Sequence, residues 1–144
     1  MDNLLNLDDI FYEVYRWKKE SRVNGDITFT RVGRHLVRPD TEQYGRWILV
    51  PFGRKLDKKG TYTLHAELKC NYEKKGIRFF LLNRKEETRE IASFDLSENE
   101  RQQVNVDFVP GIGECAYLVI TATDFPISGE VLTIGKMEVL KKRA

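Results

Sequence analysis

A strict alternation of apolar and polar residues between positions 61 and 70 constrains the fold more than any other feature of this sequence. The apolar residues share one phase and are Tyr62, Leu64, Ala66, Leu68 and Cys70. The opposite phase is polar and includes His65 and Glu67. A period of two is the pattern of a β-strand with one buried side and one solvent-facing side. The segment therefore predicts a half-buried antiparallel strand, which the turn residues at 58–60 introduce.

Further short strands are predicted at close spacing along the rest of the chain. Their ranges are 27–32, 47–52, 77–82, 91–96, 104–109, 116–122 and 131–140. The apolar phase slips at Gly135-Lys136, which predicts a β-bulge there. Nothing after residue 26 has the pattern of a long helix, so the strand series predicts an all-β fold, an antiparallel β-sandwich. From their phase, the expected core residues are Tyr62, Leu64, Leu68, Leu118, Ile120 and Ile134.

The first 26 residues are predicted to form an N-terminal segment that packs on a sandwich domain spanning residues 27–144. Helical spacing relates the apolar residues Leu7, Ile10, Phe11, Val14 and Trp17, which follow a polar cap residue. Residues 14–18 also alternate like an edge strand. The sequence leaves both a short helix and an edge segment open. In either case the apolar stripe must cover the sandwich or meet a partner.

Size and charge limit the partners of the chain. With 144 residues it is expected to be one domain. The net charge of +2 is too small to indicate a nucleic-acid partner. No apolar stretch approaches 18 residues, so no membrane segment is predicted. The N-terminus lacks the basic region of a secretory signal, which makes the cytoplasm the expected compartment.

No residue pattern of an enzyme is present. The two histidines, His35 and His65, have no nucleophile motif beside them. Gly111 and Gly113 fit a hairpin turn rather than a phosphate cradle. We therefore predict no catalytic residues and no metal-binding motif, and the chain is expected not to be an enzyme.

One cofactor and the state of the cysteines can still be considered. Structural calcium is the one cofactor that the sequence leaves open, because the loop acids Asp40, Glu42 and Asp124 offer the oxygen ligands it takes. The two cysteines, Cys70 and Cys115, are too few for a disulfide framework. Both lie in apolar strand patterns, so buried free thiols are expected.

Aromatic residues supply the candidate ligand contacts. The aromatic candidates on strands and loops are Tyr44, Trp47, Tyr72, Phe80 and Tyr117. Apolar residues occupy both phases of the strands around Trp47, Phe80 and Tyr117, so one face of these strands needs a cover. Aromatic and arginine side chains dominate binding hot spots. We therefore predict that Tyr44, Trp47, Arg78 and Tyr117 contact a glycan or a partner chain.

The order of these features resembles the galactose-binding-like, or carbohydrate-binding-module, β-jelly roll over about residues 3–140. The segments that carry the resemblance are Leu56 to Ala66, Val104-x-Val106-x-Phe108, and Ala116 to Ile120 with Leu132-Thr133-Ile134. The chain departs from this family at 101–103, where Arg-Gln-Gln stands in place of a frequent tryptophan.

The resemblance implies a non-catalytic carbohydrate-binding domain, an accessory to glycan-handling machinery. The alternative is an oligomerisation or protein-interaction module of a larger enzyme or of a surface or phage-tail assembly. A homo-oligomer therefore stays open, and no binding residue transfers by position.

Overall fold

The computed structural model describes residues 2–10, 17–19, 26–31, 46–121 and 131–142. Within these ranges the chain forms nine β-strands and a single turn of 3-10 helix. The strands are β1 (Trp17–Lys19), β2 (Ile27–Arg31), β3 (Arg46–Pro51), β4 (Tyr62–Cys70), β5 (Lys74–Asn83), β6 (Thr88–Leu96), β7 (Gln102–Phe108), β8 (Cys115–Thr121) and β9 (Val131–Lys141). The predicted all-β fold is confirmed.

The strands form two antiparallel sheets. The five-stranded sheet has the order β1-β2-β9-β4-β7, and the four-stranded sheet has the order β3-β8-β5-β6. Every strand pair within them is antiparallel. The last strand, β9, lies at the centre of the larger sheet. This arrangement is the predicted antiparallel β-sandwich.

The alternation in β4 sets the register of the larger sheet. Leu64 lies opposite Val106 of β7 on one side and opposite Val139 of β9 on the other. The whole apolar phase of β4 is buried, so its polar phase with His65 and Glu67 faces outward, as predicted. All six predicted core residues are at most 2% exposed, which confirms them as core.

A bulge keeps β9 in phase with the core. Glu67 pairs with Lys136, but Leu68 pairs with Ile134, so Gly135 is the extra residue. A Cβ atom at Gly135 would lie 2.7 Å from Nη1 of Arg101, so glycine leaves room for that side chain. The bulge confirms the predicted phase slip, and both Ile134 before it and Met137 after it are buried.

Strand β5 is longer than the sequence pattern predicts. It begins at Lys74 rather than at Ile77, and Gly76 within it has a φ of 61°. The Gly76 N–H donates to the Asp95 side chain over 2.8 Å. A glycine in this left-handed conformation lets the pairing with β6 shift register and continue back to Lys74.

The described residues of the N-terminal segment contain one short helical turn. Leu7–Asp9 is a 3-10 helix, capped by the Asn6 side chain, which accepts from the Asp8 N–H. The backbone returns to an extended conformation at Ile10, and Trp17–Lys19 forms the edge strand β1. The predicted helix is thus present only as the turn Leu7–Asp9 within the described residues, and at Trp17 the edge-segment alternative is correct. Phe11 and Val14 lie outside the described residues.

Residues 3–6 connect the two sheets, and we call them the N-terminal strap. The Leu4 N–H donates to the Val139 carbonyl over 2.9 Å, and the Leu4 carbonyl accepts from the Gly53 N–H over 2.8 Å. Leu5 forms a bridge with Phe52 and is only 6% exposed. The strap thus pairs with β9 of one sheet and with the end of β3 in the other. The domain division at residue 26 stays a prediction.

Both cysteines are buried and form no disulfide, as predicted. Burial raises the pKa of the Cys115 thiol above its ordinary value. In the described part of the chain, no helix combines the length and the apolar character needed to cross a membrane.

Candidate functional site

The outer face of the five-stranded sheet is polar, and its charges are largely paired. Arg101 donates to Asp26 over 2.8 Å and also to Glu67, and these hydrogen bonds raise the pKa of the guanidinium. Asp107 accepts from Lys142 and from Thr63, which lowers the pKa of its carboxyl. Because these groups satisfy one another, this face offers few unpaired groups to a ligand.

A small hollow of about 100 Å³ lies on the same face. His65 and Asn105 line it and are hydrogen-bonded to each other. Lys136, also in its lining, pairs with Glu138 at 3.3 Å. The hollow is too small to hold a ligand of several rings.

The outer face of the four-stranded sheet is different, and we call it the four-strand face. Strand pairing places Val119 of β8 between Leu49 of β3 and Phe80 of β5. The next outward row along β8 joins Tyr117 to Leu82. Val119 is completely buried, whereas Leu49, Phe80 and Tyr117 are half-buried. An apolar strip therefore runs along this face, in which Val119 and Leu82 are buried and the rings of Phe80 and Tyr117 are partly exposed.

Charged residues flank the apolar strip. Arg78 lies opposite Thr121, and its Nε atom is 3.9 Å from Oε1 of Glu90. Both side chains are more than half exposed, at 53% and 54%. An ion pair this long and this exposed contributes little to stability, so both groups can exchange it for a ligand at small cost.

Two of the four predicted ligand residues share the four-strand face. Arg78 and Tyr117 are four residues apart in register, or about 13 Å along the strands. Trp47 falls at a register irregularity of β3, between Arg46 opposite Thr121 and Ile48 opposite Ile120. Its side chain and the whole of Tyr44 lie outside the described structure. Phe80 lies in the same strand phase as Arg78, so the sequence pattern could also have placed Phe80 among the predicted ligand residues.

A groove of about 830 Å³ opens at one end of this face, and we call it the end groove. Its walls come from the chain after β3 and after β5, and its floor from the start of β8. The residues that line it are Pro51, Phe52, Gly53, Arg54, Lys55, Leu82, Asn83, Arg84, Glu86, Glu114, Cys115, Ala116 and Tyr117. Because Tyr117 and Leu82 belong to both, the apolar strip leads directly into the groove.

The wall after β5 is held by Asn83, which is only 4% exposed. Its Nδ2 donates to Glu87 over 2.8 Å and to the Gly113 carbonyl over 3.0 Å. Its Oδ1 accepts from the backbone N–H groups of Lys85 and Glu87. One buried side chain thus ties the β5–β6 turn to the β7–β8 loop and fixes the shape of the groove before any ligand arrives.

Two glutamates at the groove have left-handed backbones. Glu86 has a φ of 62° and Glu114 a φ of 58°, a conformation that costs free energy for residues other than glycine. The Arg84 N–H donates to the Glu114 carbonyl over 3.1 Å and joins the two turns. Sequence reasoning missed the groove, because turn residues that meet across 30 positions leave no local pattern.

The candidate metal ligands and histidines do not come together at the four-strand face or the end groove in the described part of the chain. Within the described residues, no group of three or more metal-ligating side chains comes together. His65 lies on the other sheet, and His35 lies outside the described residues, as do the calcium candidates Asp40, Glu42 and Asp124. What the site offers is apolar rings for stacking, with charged groups at hydrogen-bonding positions around them.

Comparisons with known proteins identify the fold. No family model matches the chain, and no curated protein matches its sequence. Solved structures do match it. A CBM4 structure is 11% identical with a TM-score of 0.61, covering 92% of this chain and 85% of that one. The CBM22-1 xylan-binding domain of Paenibacillus barcinonensis Xyn10C is 10% identical with a TM-score of 0.57, covering 97% and 85%.

A third match is the N-terminal cellulose-binding domain of Cellulomonas fimi β-1,4-glucanase C. It is 12% identical with a TM-score of 0.54, covering 83% of this chain and 80% of that one. The chain therefore has the β-sandwich fold of carbohydrate-binding modules, which confirms the resemblance predicted from its sequence. Identities this low define the fold and leave the ligand to the site itself.

Proposed function

We propose that this protein is a non-catalytic glycan-binding domain that holds its ligand on the four-strand face and in the end groove. One observation carries the proposal: an apolar strip with the half-buried rings of Phe80 and Tyr117 runs into a preformed groove lined by charged groups. A sugar ring has an apolar C–H face that packs on an aromatic ring, and hydroxyls that bond to charged side chains. The site offers partners for both.

The similar solved structures support this proposal, because their names describe domains that bind carbohydrate, cellulose and xylan. A domain of this kind makes and breaks no bond. Its role is to keep glycan-handling machinery at its substrate as an accessory domain. The cytoplasmic location expected from the sequence stays a prediction.

The alternative function, a protein-interaction or oligomerisation module, would use the same four-strand face. Half-buried aromatic side chains beside an arginine are also typical of protein interfaces. The two functions differ in what occupies the face, and one pair of variants tests both.

The test compares Tyr117→Ala with Tyr72→Ala. Tyr72 is a matched control, because it is 40% exposed and precedes β5 at the end of the strand away from the groove. Binding is first sought on a glycan array and then measured by calorimetry with cello- and xylo-oligosaccharides. Tyr117→Ala should weaken binding at least about tenfold, because truncated aromatic hot spots cost more than about 1.4 kcal/mol. Tyr72→Ala should leave the affinity unchanged.

Circular dichroism of both variants separates lost binding from lost folding. Equal affinities of the two folded variants would show that the glycan binds elsewhere. If no glycan binds and the wild type self-associates in sedimentation experiments, while Tyr117→Ala is monomeric, the oligomerisation function replaces the proposed one.

A further inference from the structure

The end groove contains charged side chains, most of which form no ion pair with another described residue. Arg54 approaches Asp2 at 3.4 Å, with side chains that are 67% and 78% exposed. The other charged lining residues are Lys55, Arg84, Glu86 and Glu114. Their side chains form no ion pair or hydrogen bond within the part of the chain that the structure describes. The groove therefore combines walls that Asn83 holds in place with exposed charges that a ligand can reach.

The opposite sheet provides the contrast. There Arg101, Lys136 and Lys142 each pair with a carboxylate. In the end groove, Lys55 and Arg84 have no such ion pair among the described residues, and cations lie on both walls. Arg54 and Lys55 follow β3, Arg84 follows β5, and Glu114 begins the floor.

The types of cation indicate the chemistry of the ligand. A guanidinium presents a planar fork of N–H donors that matches a carboxylate with two parallel hydrogen bonds. Two of the three groove cations are arginines, and cations outnumber carboxylates by three to two. The glutamates accept hydrogen bonds from hydroxyl groups. A ligand that carries a carboxylate next to hydroxyls would satisfy both kinds of group.

We infer that the end groove binds an acidic sugar, a uronic acid residue of the glycan, whose carboxylate contacts Arg84 and the cations after β3. This inference rests on the proposed function and adds the class of sugar. Tyr117, at the boundary between groove and strip, then stacks on the neighbouring sugar ring. Because Asn83 already holds the groove wall in place, ordering of this wall adds little entropy cost to binding.

The test uses uronic-acid oligosaccharides of the xylan, galacturonan and glucuronan types, each beside its carboxyl-reduced form. Reduction replaces the carboxylate by a neutral hydroxymethyl group and leaves the rest of the sugar unchanged. We expect at least one acidic form to bind about tenfold or more tightly than its reduced form, since a charge-assisted hydrogen bond contributes this much. Raising NaCl from about 0.1 M to about 1 M should shrink this preference, because the Debye length falls from about 10 Å to about 3 Å.

Three variants assign the preference to the groove. Arg84→Gln and Lys55→Gln should each weaken binding of the acidic form more than binding of the reduced form, and so reduce the preference for the acidic form. Lys136→Gln makes the same change in net charge on the opposite sheet and should leave the preference intact.

Two results would overturn the inference and spare the proposed function: equal affinity for acidic and reduced forms, or an equal loss of preference in Lys136→Gln. If no form of any oligosaccharide binds, both the inference and the proposed function fail.

Discussion

Substitution of Asn3 by alanine should destabilise the whole sandwich, although the residue is exposed and near the N-terminus. Its Oδ1 accepts from the Leu5 N–H over 3.1 Å and from the Val139 N–H over 3.0 Å. Its Nδ2 donates to the Met137 carbonyl over 3.0 Å. The bonds to Met137 and Val139 attach the N-terminal strap to β9, and the bond from Leu5 closes a turn within the strap. Met137 and Val139 are at most 2% exposed.

The expected loss follows from these bonds. Each contributes about 1 kcal/mol net, and a partly buried group left without a partner adds to the cost. We expect Asn3→Ala to lower the free energy of unfolding by about 2–3 kcal/mol. Urea denaturation followed by tryptophan fluorescence measures the change. The dependence on denaturant should stay constant, because the surface exposed on unfolding is nearly the same.

Asn6→Ala is the matched control, because among the described residues the Asn6 side chain bonds to Asp8 and Asp9, both in an exposed turn. Its loss should stay below about 1 kcal/mol. Equal losses in the two variants would refute the idea that the strap fastens the sheets. Hydrogen exchange at the Val139 amide gives a local check, since it should accelerate in Asn3→Ala alone.

Two further predictions concern the core. Leu118→Ala should lower the free energy of unfolding by about 2–5 kcal/mol, because Leu118 is fully buried on a strand with a neighbour on each side. Leu140→Ala, on the half-buried outer phase of β9, should cost less. A loss below about 1 kcal/mol for Leu118→Ala in chemical denaturation would show that Leu118 is not a core residue. Cys70 and Cys115 should react slowly with iodoacetamide in the native state, because both thiols are buried. The pKa of the Cys115 thiol is raised in the folded state. Its contribution to stability is therefore complete below the unfolded thiol pKa of about 8.5 and is lost as the pH rises through the folded pKa. Rapid labelling of both thiols without denaturant at neutral pH would contradict this.

Local patterns were enough to predict the strands. The phase of β4 correctly assigned every inward and outward residue between Tyr62 and Cys70, because one side of that strand is buried and a slip of one residue would exchange the sides. The break in the apolar phase at Gly135-Lys136 also predicted the bulge correctly. Pattern reasoning failed at the start of β5, where Gly76 continues the strand with a left-handed backbone instead of ending it.

Long-range pairing explains what the sequence could not predict. The N-terminal strap depends on contacts between Asn3 and Val139, and the shape of the end groove on a hydrogen bond between Asn83 and Gly113. Neither contact leaves a periodic signal, because the partners are far apart in the chain. Alternation did place Arg78 and Tyr117 on one outer face, but whether they bind a ligand is still a prediction.

The position of the last strand has a consequence for how the protein is made. Since β9 is the middle strand of its sheet, β2 and β4 have no neighbour on that side until residues 131–141 have left the ribosome. Unpaired strand edges are templates for association with other chains, and pairing over such sequence distances is slow, on the order of milliseconds to seconds. The five-stranded sheet is thus closed only after residues 131–141 have been synthesised. Until then the nascent chain depends on its polar edge residues, or on a chaperone, to stay apart from other chains.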